Sequence, residues 1–183
     1  NNLVVDANNY NLTSSSKDIG SNITTANMLT LNAGNDLNAK AATVQAGNAL
    51  NVNAGNDITI VAGESKQSSA SASKTTSNGF LTSTTTTTQS SSASNNAIAS
   101  TFSGNNTSIV ANNNLTSVGT AFKGKDSLVV EGKNEQKFYE AVDQSSSTNK
   151  TESSSSLLGF TVDKGSNTDS QSKTTALGSK LIS

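Results

Sequence analysis

The tetrapeptide Ala-Gly-Asn-Asp occurs at 33–36 and again at 54–57. Each copy closes an alternating run, Leu29-Thr-Leu-Asn-Ala33 and Leu50-Asn-Val-Asn-Ala54. Period-two alternation predicts a strand with one buried face. Glycine and asparagine tolerate positive φ, so the tetrapeptide is expected to turn the chain without strain. Apolar alternation then resumes at Leu37 and at Ile58-Thr59-Ile60, and Val44–Leu50 gives a weaker echo. A short strand and a tight turn recurring about every twenty residues predict the coil of a solenoid. One coil cannot bury its own apolar face. Stacked coils bury a continuous core and pair their backbones at roughly 4.7–4.9 Å per coil.

Composition fits that design. Among 183 residues, 32% are hydrophobic and 4% aromatic, which is low for a globular domain and implies a thin core of small aliphatic side chains. The expected fold class is all-β, a parallel β-helix. Charged residues make up 14% and the net charge is −1, against ordinary disorder. All 12 basic residues are lysines, scattered along the chain, which argues against a nucleic-acid partner. Proline, cysteine, histidine, arginine and tryptophan are absent, so there is no disulfide framework and no thiolate metal site. Absence of cysteine fits a surface protein exported unfolded. No signal peptide or membrane helix is visible. The chain starts in mid-pattern at Leu3-Val4-Val5 and ends at Leu181-Ile182-Ser183, and reads as an excised fragment.

A longer period overlies the short one. Ile19-Gly20-Ser21, Ile98-Ala99-Ser100 and Leu177-Gly178-Ser179 recur at equal intervals. Gly79-Phe80 and Gly159-Phe160 keep nearly the same interval, and so do Leu50 and Leu128, which open similar segments. These markers define a repeat unit of about 79 residues, the self-similarity expected of an array. The expected organisation is coils over 1–63, a Ser/Thr-rich excursion over 64–97, coils over 98–138, a second excursion over 139–176, and the start of another unit at 177–183.

Most positions in 65–94 are Ser or Thr, too many for a packed core. The excursions are either disordered linkers or paired strands. Thr82–Thr88 disfavours helix, and Ser77-Asn78-Gly79 is a hairpin turn signal. Equal lengths and a central Gly-Phe in both units favour long hairpins, each stacking on the next unit's. Phe80, Leu81, Leu157, Leu158 and Phe160 are their expected buried anchors. The aromatic run Lys137–Val142 is expected to cover the last coil rather than to bind a ligand.

The Leu-x-Val/Leu-x-Ala-Gly-Asn-Asp-Leu/Ile repeats, coupled to polar excursions with Gly-Phe, resemble the haemagglutinin repeats of large two-partner-secreted exoproteins. These are the filamentous haemagglutinins and the CdiA-like contact-dependent growth-inhibition effectors. The resemblance covers essentially the whole chain. It implies a right-handed parallel β-helix within a long filament, secreted to a Gram-negative cell surface by an outer-membrane two-partner transporter. It further implies contact with a target-cell surface or outer membrane and, in the growth-inhibition members, delivery of a C-terminal toxin. A passive stalk or a receptor-binding adhesin segment is the other reading.

Catalytic chemistry finds little support. Without histidine, cysteine or arginine the commonest bases, the thiol nucleophile and the usual anion clamp are missing, so no catalytic, cofactor or metal residue is assigned and no enzyme is expected. Asp36 and Asp57, one coil apart, are conceivable as a carboxylate pair. Their recurrence within the repeat instead predicts turn residues that bond local backbone amides. Calcium β-roll nonapeptides are lacking. Asn35, Asn56 and Asn114 are expected to stack as a ladder along the axis. Thr82, Thr84, Thr86 and Thr88 form one threonine row, without the coil-by-coil repetition of ice-binding solenoids. Exposed end coils imply end-to-end or edge self-association.

Overall fold

The alternating runs become strands in the computed structural model, which describes residues 9–183. The run at Leu3-Val4-Val5 lies outside the described residues. In chain order the strands are β1 (Tyr10–Lys17), β2 (Asn22–Thr25), β3 (Leu29–Ala33), β4 (Leu37–Lys40), β5 (Thr43–Ala46), β6 (Ala49–Ala54), β7 (Ile58–Val61) and β8 (Gly63–Asn78). They continue with β9 (Thr82–Ile98), β10 (Ser100–Ala111), β11 (Asn114–Val118), β12 (Thr120–Gly132), β13 (Glu135–Tyr139), β14 (Ala141–Leu157), β15 (Phe160–Leu177) and β16 (Lys180–Ile182). The described residues are all-β and contain no helix. They divide into two units.

The coil unit comprises 17–65, 96–143 and 175–183. Its strands form three parallel ladders. In the first, Ile23, Val44, Phe102, Phe122 and Leu181 occupy one column. In the second the column is Leu31, Val52, Ile109 and Val130. In the third it is Leu37, Ile58, Leu115 and Gln136. One passage of the chain through the three ladders makes one coil, with β10 and β12 each serving the first two ladders, and apolar residues stack on apolar ones until Gln136. The steps from Leu31 to Val52 and from Ile109 to Val130 are short, one coil's length of chain each. The step from Val52 to Ile109 is long, because it takes in a Ser/Thr-rich excursion, and it loses no register. Leu50, Val52, Ile58, Ile60, Ile109 and Leu115 are fully buried along this axis.

The turn glycines work differently from the expectation. Neither Gly34 nor Gly55 has positive φ. A Cβ on Gly55 would stand 2.2 Å from the Gly34 carbonyl oxygen, and one on Gly47 would stand 2.1 Å from that of Ala26. Glycine is required because successive turns stack backbone on backbone. Left-handed residues sit instead at another corner, Ala41 (φ 52) and its equivalent one unit on, Gly119 (φ 58).

The long-period marker also acquires a physical cause. Ser100 Oγ donates to the Val61 carbonyl at 2.7 Å and accepts from the Ala42 N–H at 3.1 Å. Ser179 Oγ donates to the Tyr139 carbonyl at 2.9 Å and accepts from the Thr120 N–H at 3.3 Å. Each serine fastens the returning chain to the previous coil through the same pair of bonds. At the outer strand β13, Phe138 packs edge-on against Phe122 with centroids 6.2 Å apart and remains 39% exposed. Phe138 of the aromatic run thus borders the core.

The hairpin unit comprises the described residues to Ser16 together with Lys66–Asn95 and Gln144–Thr174. Its sheet has the order β1-β8-β9-β14-β15. β9 and β14 pair antiparallel from Thr82↔Leu157 to Asn95↔Gln144. The loop between β8 and β9 is Gly79-Phe80-Leu81, just beyond the centre of the Ser-Asn-Gly signal. The β14–β15 turn is Leu158-Gly159 with φ 52 and 84, both positive as a type I′ hairpin demands. The expected anchors are not buried. Phe80, Leu81, Leu157, Leu158 and Phe160 are all exposed. They fall at or just past the strand ends, where Leu157 opposite Thr82 closes the β9–β14 ladder.

Candidate functional site

Two surfaces recur with the repeat and carry its polar chemistry. The first is the turn column of the coil unit. Asp36 Oδ1 accepts from Asn56 Nδ2 at 2.7 Å and from the Asp57 N–H at 3.1 Å. Asp57 Oδ1 accepts from Asn113 Nδ2 at 2.9 Å, the Asn114 N–H at 2.9 Å and Asn114 Nδ2 at 3.1 Å. The aspartates were expected to bond amides of their own turn, but they bond the next coil's. A turn that stacks at the ladder spacing brings those amides closer than its own. Asparagines bond along the axis, but not as the expected column of Asn35, Asn56 and Asn114: Asn113 Nδ2 donates to Asn56 Oδ1 at 3.1 Å and Asn134 Nδ2 to Asn114 Oδ1 at 3.0 Å, while Asn114 itself stacks on Asp57. Asn35 departs from the column and bonds Asp36 at 3.3 Å. Through its Oδ1, each carboxylate ties its own coil to the next.

The second surface is one face of the hairpin sheet. Side chains alternate between faces, so Thr82, Thr84, Thr86 and Thr88 share one. The register places Leu157, Ser155, Ser153 and Thr151 beside them. Thr84 Oγ1 and Ser155 Oγ lie 3.2 Å apart, and Ser90 Oγ donates to Asn149 Oδ1 at 2.7 Å. Ser69 and Ser92 hydroxyls meet at 2.8 Å on the same face. The threonine row is therefore one line of a wider hydroxyl lattice. The neighbouring line could not be read from the sequence, because its register joins positions as far apart in the chain as Thr84 and Ser155. A groove on this face is lined by Ser15, Gln67, Ser69, Ser94, Ser147 and Gln171. Lys173 lines it too, so the groove offers hydroxyls, amides and one ammonium group for hydrogen bonding. The opposite face carries charge, including a Lys150–Glu152 ion pair at 2.6 Å.

Elsewhere charge is sparse and solvated. Lys40 Nζ lies 2.8 Å from Asp18 Oδ2, and this hydrogen bond and the carboxylate's charge hold the lysine above its ordinary pKa. Lys137 is raised in the same way by Glu135, at 2.6 Å. Among the described residues no group of three His, Cys, Asp or Glu side chains is placed to hold a metal ion.

Residues 6–89 match the family model described as the hemagglutinin repeat. No curated protein and no solved structure matches the chain significantly. The matched stretch takes in the first two coils, all of β8 and the first half of β9, the segments in which the Ala-Gly-Asn-Asp turns and the first Gly-Phe occur. The chain carries a haemagglutinin-repeat region.

Proposed function

We propose that this chain is a non-catalytic segment of a secreted surface filament of a Gram-negative bacterium, of the filamentous haemagglutinin type, and that it mediates contact with another cell. Its coil unit is read as a stretch of right-handed parallel β-helix that extends by addition of units. The observation that carries this reading is the register. Columns such as Leu31–Val52–Ile109–Val130 continue across the excursion, and Ser100 and Ser179 repeat the same fastening one unit apart. A device repeated unit by unit serves length, whereas a catalytic site interrupts a repeat. Export by an outer-membrane two-partner transporter belongs to the same reading. The outer strands β13, β15 and β16 also suit edge or end-to-end association with further repeats. Delivery of a C-terminal toxin across a target outer membrane is the narrower, CdiA-like form, and its support is the resemblance alone.

Beads bearing the whole chain at high density should cluster Gram-negative cells, while uncoated beads should not. Equal behaviour of coated and uncoated beads would remove the contact function.

A further inference from the structure

Large apolar side chains are scarce in the hairpin unit, and they gather at its tips. Phe80 is 94% exposed, Phe160 78%, Leu158 64% and Val162 62%. The tips are neighbours, since the Leu158 N–H donates to the Leu81 carbonyl at 2.8 Å and Leu157 pairs with Thr82. Two exposed phenyl rings offer roughly 150–250 Å² each. They alone approach the roughly 300–600 Å² of the largest apolar patch on a typical monomer, and such patches are often functional.

Folding does not ask for these residues. Leu81 (φ 72) and Leu158 (φ 52) occupy the left-handed region, where glycine or asparagine sits with less strain. A type I′ turn favours Asn-Gly, yet this one reads Leu158-Gly159. Both leucine side chains remain exposed, so burial returns little. The same costly choice is made in both hairpins.

The distribution of the patch says what it meets. Leu157 shares the face of Ser155, beside the threonine row. Val162 shares the face of Lys164, which lines a groove with Thr85, Thr87 and Glu152 on the other side. Apolar groups thus stand on both faces and at the end of the sheet. A folded partner would cover one of these, whereas a bilayer interface surrounds all of them. The apolar tip is also shallow. Asp163 and Lys164 follow Val162 directly, leaving a depth of roughly 10 Å at about 3.3 Å per residue. That suits the headgroup boundary, where apolar faces bury roughly 5–10 Å, and falls short of the roughly 25 Å apolar band of a barrel wall.

We propose that the paired tips, Phe80-Leu81 and Leu157–Val162, dock shallowly into the surface of a lipid bilayer. The proposal rests on the cell-contact reading and names lipid as the surface met. The whole chain should float with phosphatidylcholine vesicles and release no entrapped dye. The triple variant Phe80→Ser, Leu158→Asn, Phe160→Ser should float at least about tenfold less well. Leu158→Asn alone should weaken flotation with an unchanged or higher Tm, because asparagine suits the turn; this keeps the test valid if the triple variant misfolds. Equal flotation of the variants, no flotation of the native chain, dye release, or tip-dependent dimers in place of vesicle binding would each overturn the proposal. Bead clustering separates the two readings. Clustering without vesicle binding refutes lipid docking and keeps cell contact, whereas loss of both refutes both.

Discussion

In the coil unit, Leu50, Val52, Ile58 and Ile109 are each 0% exposed and lie in columns that run from coil to coil. In the hairpin unit, Ala72 is the one buried hydrophobic side chain among the described residues. The backbone is extended in both, yet the free energy comes from different sources. Buried aliphatic side chains contribute about 1.5–3 kcal/mol each. A strand residue in the hairpins gains a backbone bond with a net worth of about 0.5–1.5 kcal/mol. Against that stands an ordering cost of about 1–2 kcal/mol per residue. The hairpin unit is therefore the less stable part, and its amides should exchange with solvent well before those of β6, β7, β10 and β11. Uniform protection across both units would refute the contrast.

The contrast is sharpest under truncation. Leu50→Ala should cost about 2–5 kcal/mol, since it opens a cavity between neighbours that cannot collapse. Ser153→Ala, in the middle of β14, should stay within about 0.5 kcal/mol. Chemical denaturation with fluorescence labels in each unit would read both. Comparable costs would mean that the hydroxyl lattice supports the fold as much as the aliphatic core does.

Next in size are the polar devices that hold coil to coil. Ser100→Ala removes both bonds of a fully buried hydroxyl and leaves the Val61 carbonyl and Ala42 N–H without it. The expected cost is about 1–3 kcal/mol. Asp57→Ala strips three hydrogen bonds from Asn113 and Asn114 in a partly exposed turn, where water substitutes in part. About 1–2 kcal/mol is expected. If Ser100→Ala proved neutral, the recurrence of serine at 21, 100 and 179 would need another cause.

The coil unit was far more legible in the sequence than the hairpin unit. Alternation at Leu29–Ala33 and Leu50–Ala54 marks strands, and its recurrence one coil later marks stacking, because one periodicity encodes both the buried face and the pairing partner. The role of Gly55 was not legible, because local turn chemistry says nothing of the Gly34 carbonyl above it. For the same reason the bonds of Asp36 were assigned to its own turn. In the hairpins Ser and Thr predominate on both faces, so neither face nor register leaves a clear trace. Apolar residues at Phe80 and Phe160 then looked like anchors. The structure puts them at strand ends with nothing above them, which changes their meaning from packing to contact.

The smallest effect tests whether surface charge adds anything to the coil unit's stability. Asp18 Oδ2 accepts from the Glu64 N–H at 2.9 Å and pairs with Lys40 at 2.8 Å. The hydrogen bond to Asp18 is the main cause of the raised lysine pKa, followed by that carboxylate's charge. A folded-state pKa above the unfolded value of 10.5 gives a contribution that is complete below 10.5 and lost as pH rises through the folded value. Exposure and screening keep it small. Thermal melts of the native chain and of Lys40→Met should differ slightly near neutral pH. That difference should shrink at high salt and vanish once pH exceeds the folded-state pKa. A difference that persisted there would show that the lysine stem acts by covering apolar surface, as in the coil columns, and that its charge is incidental.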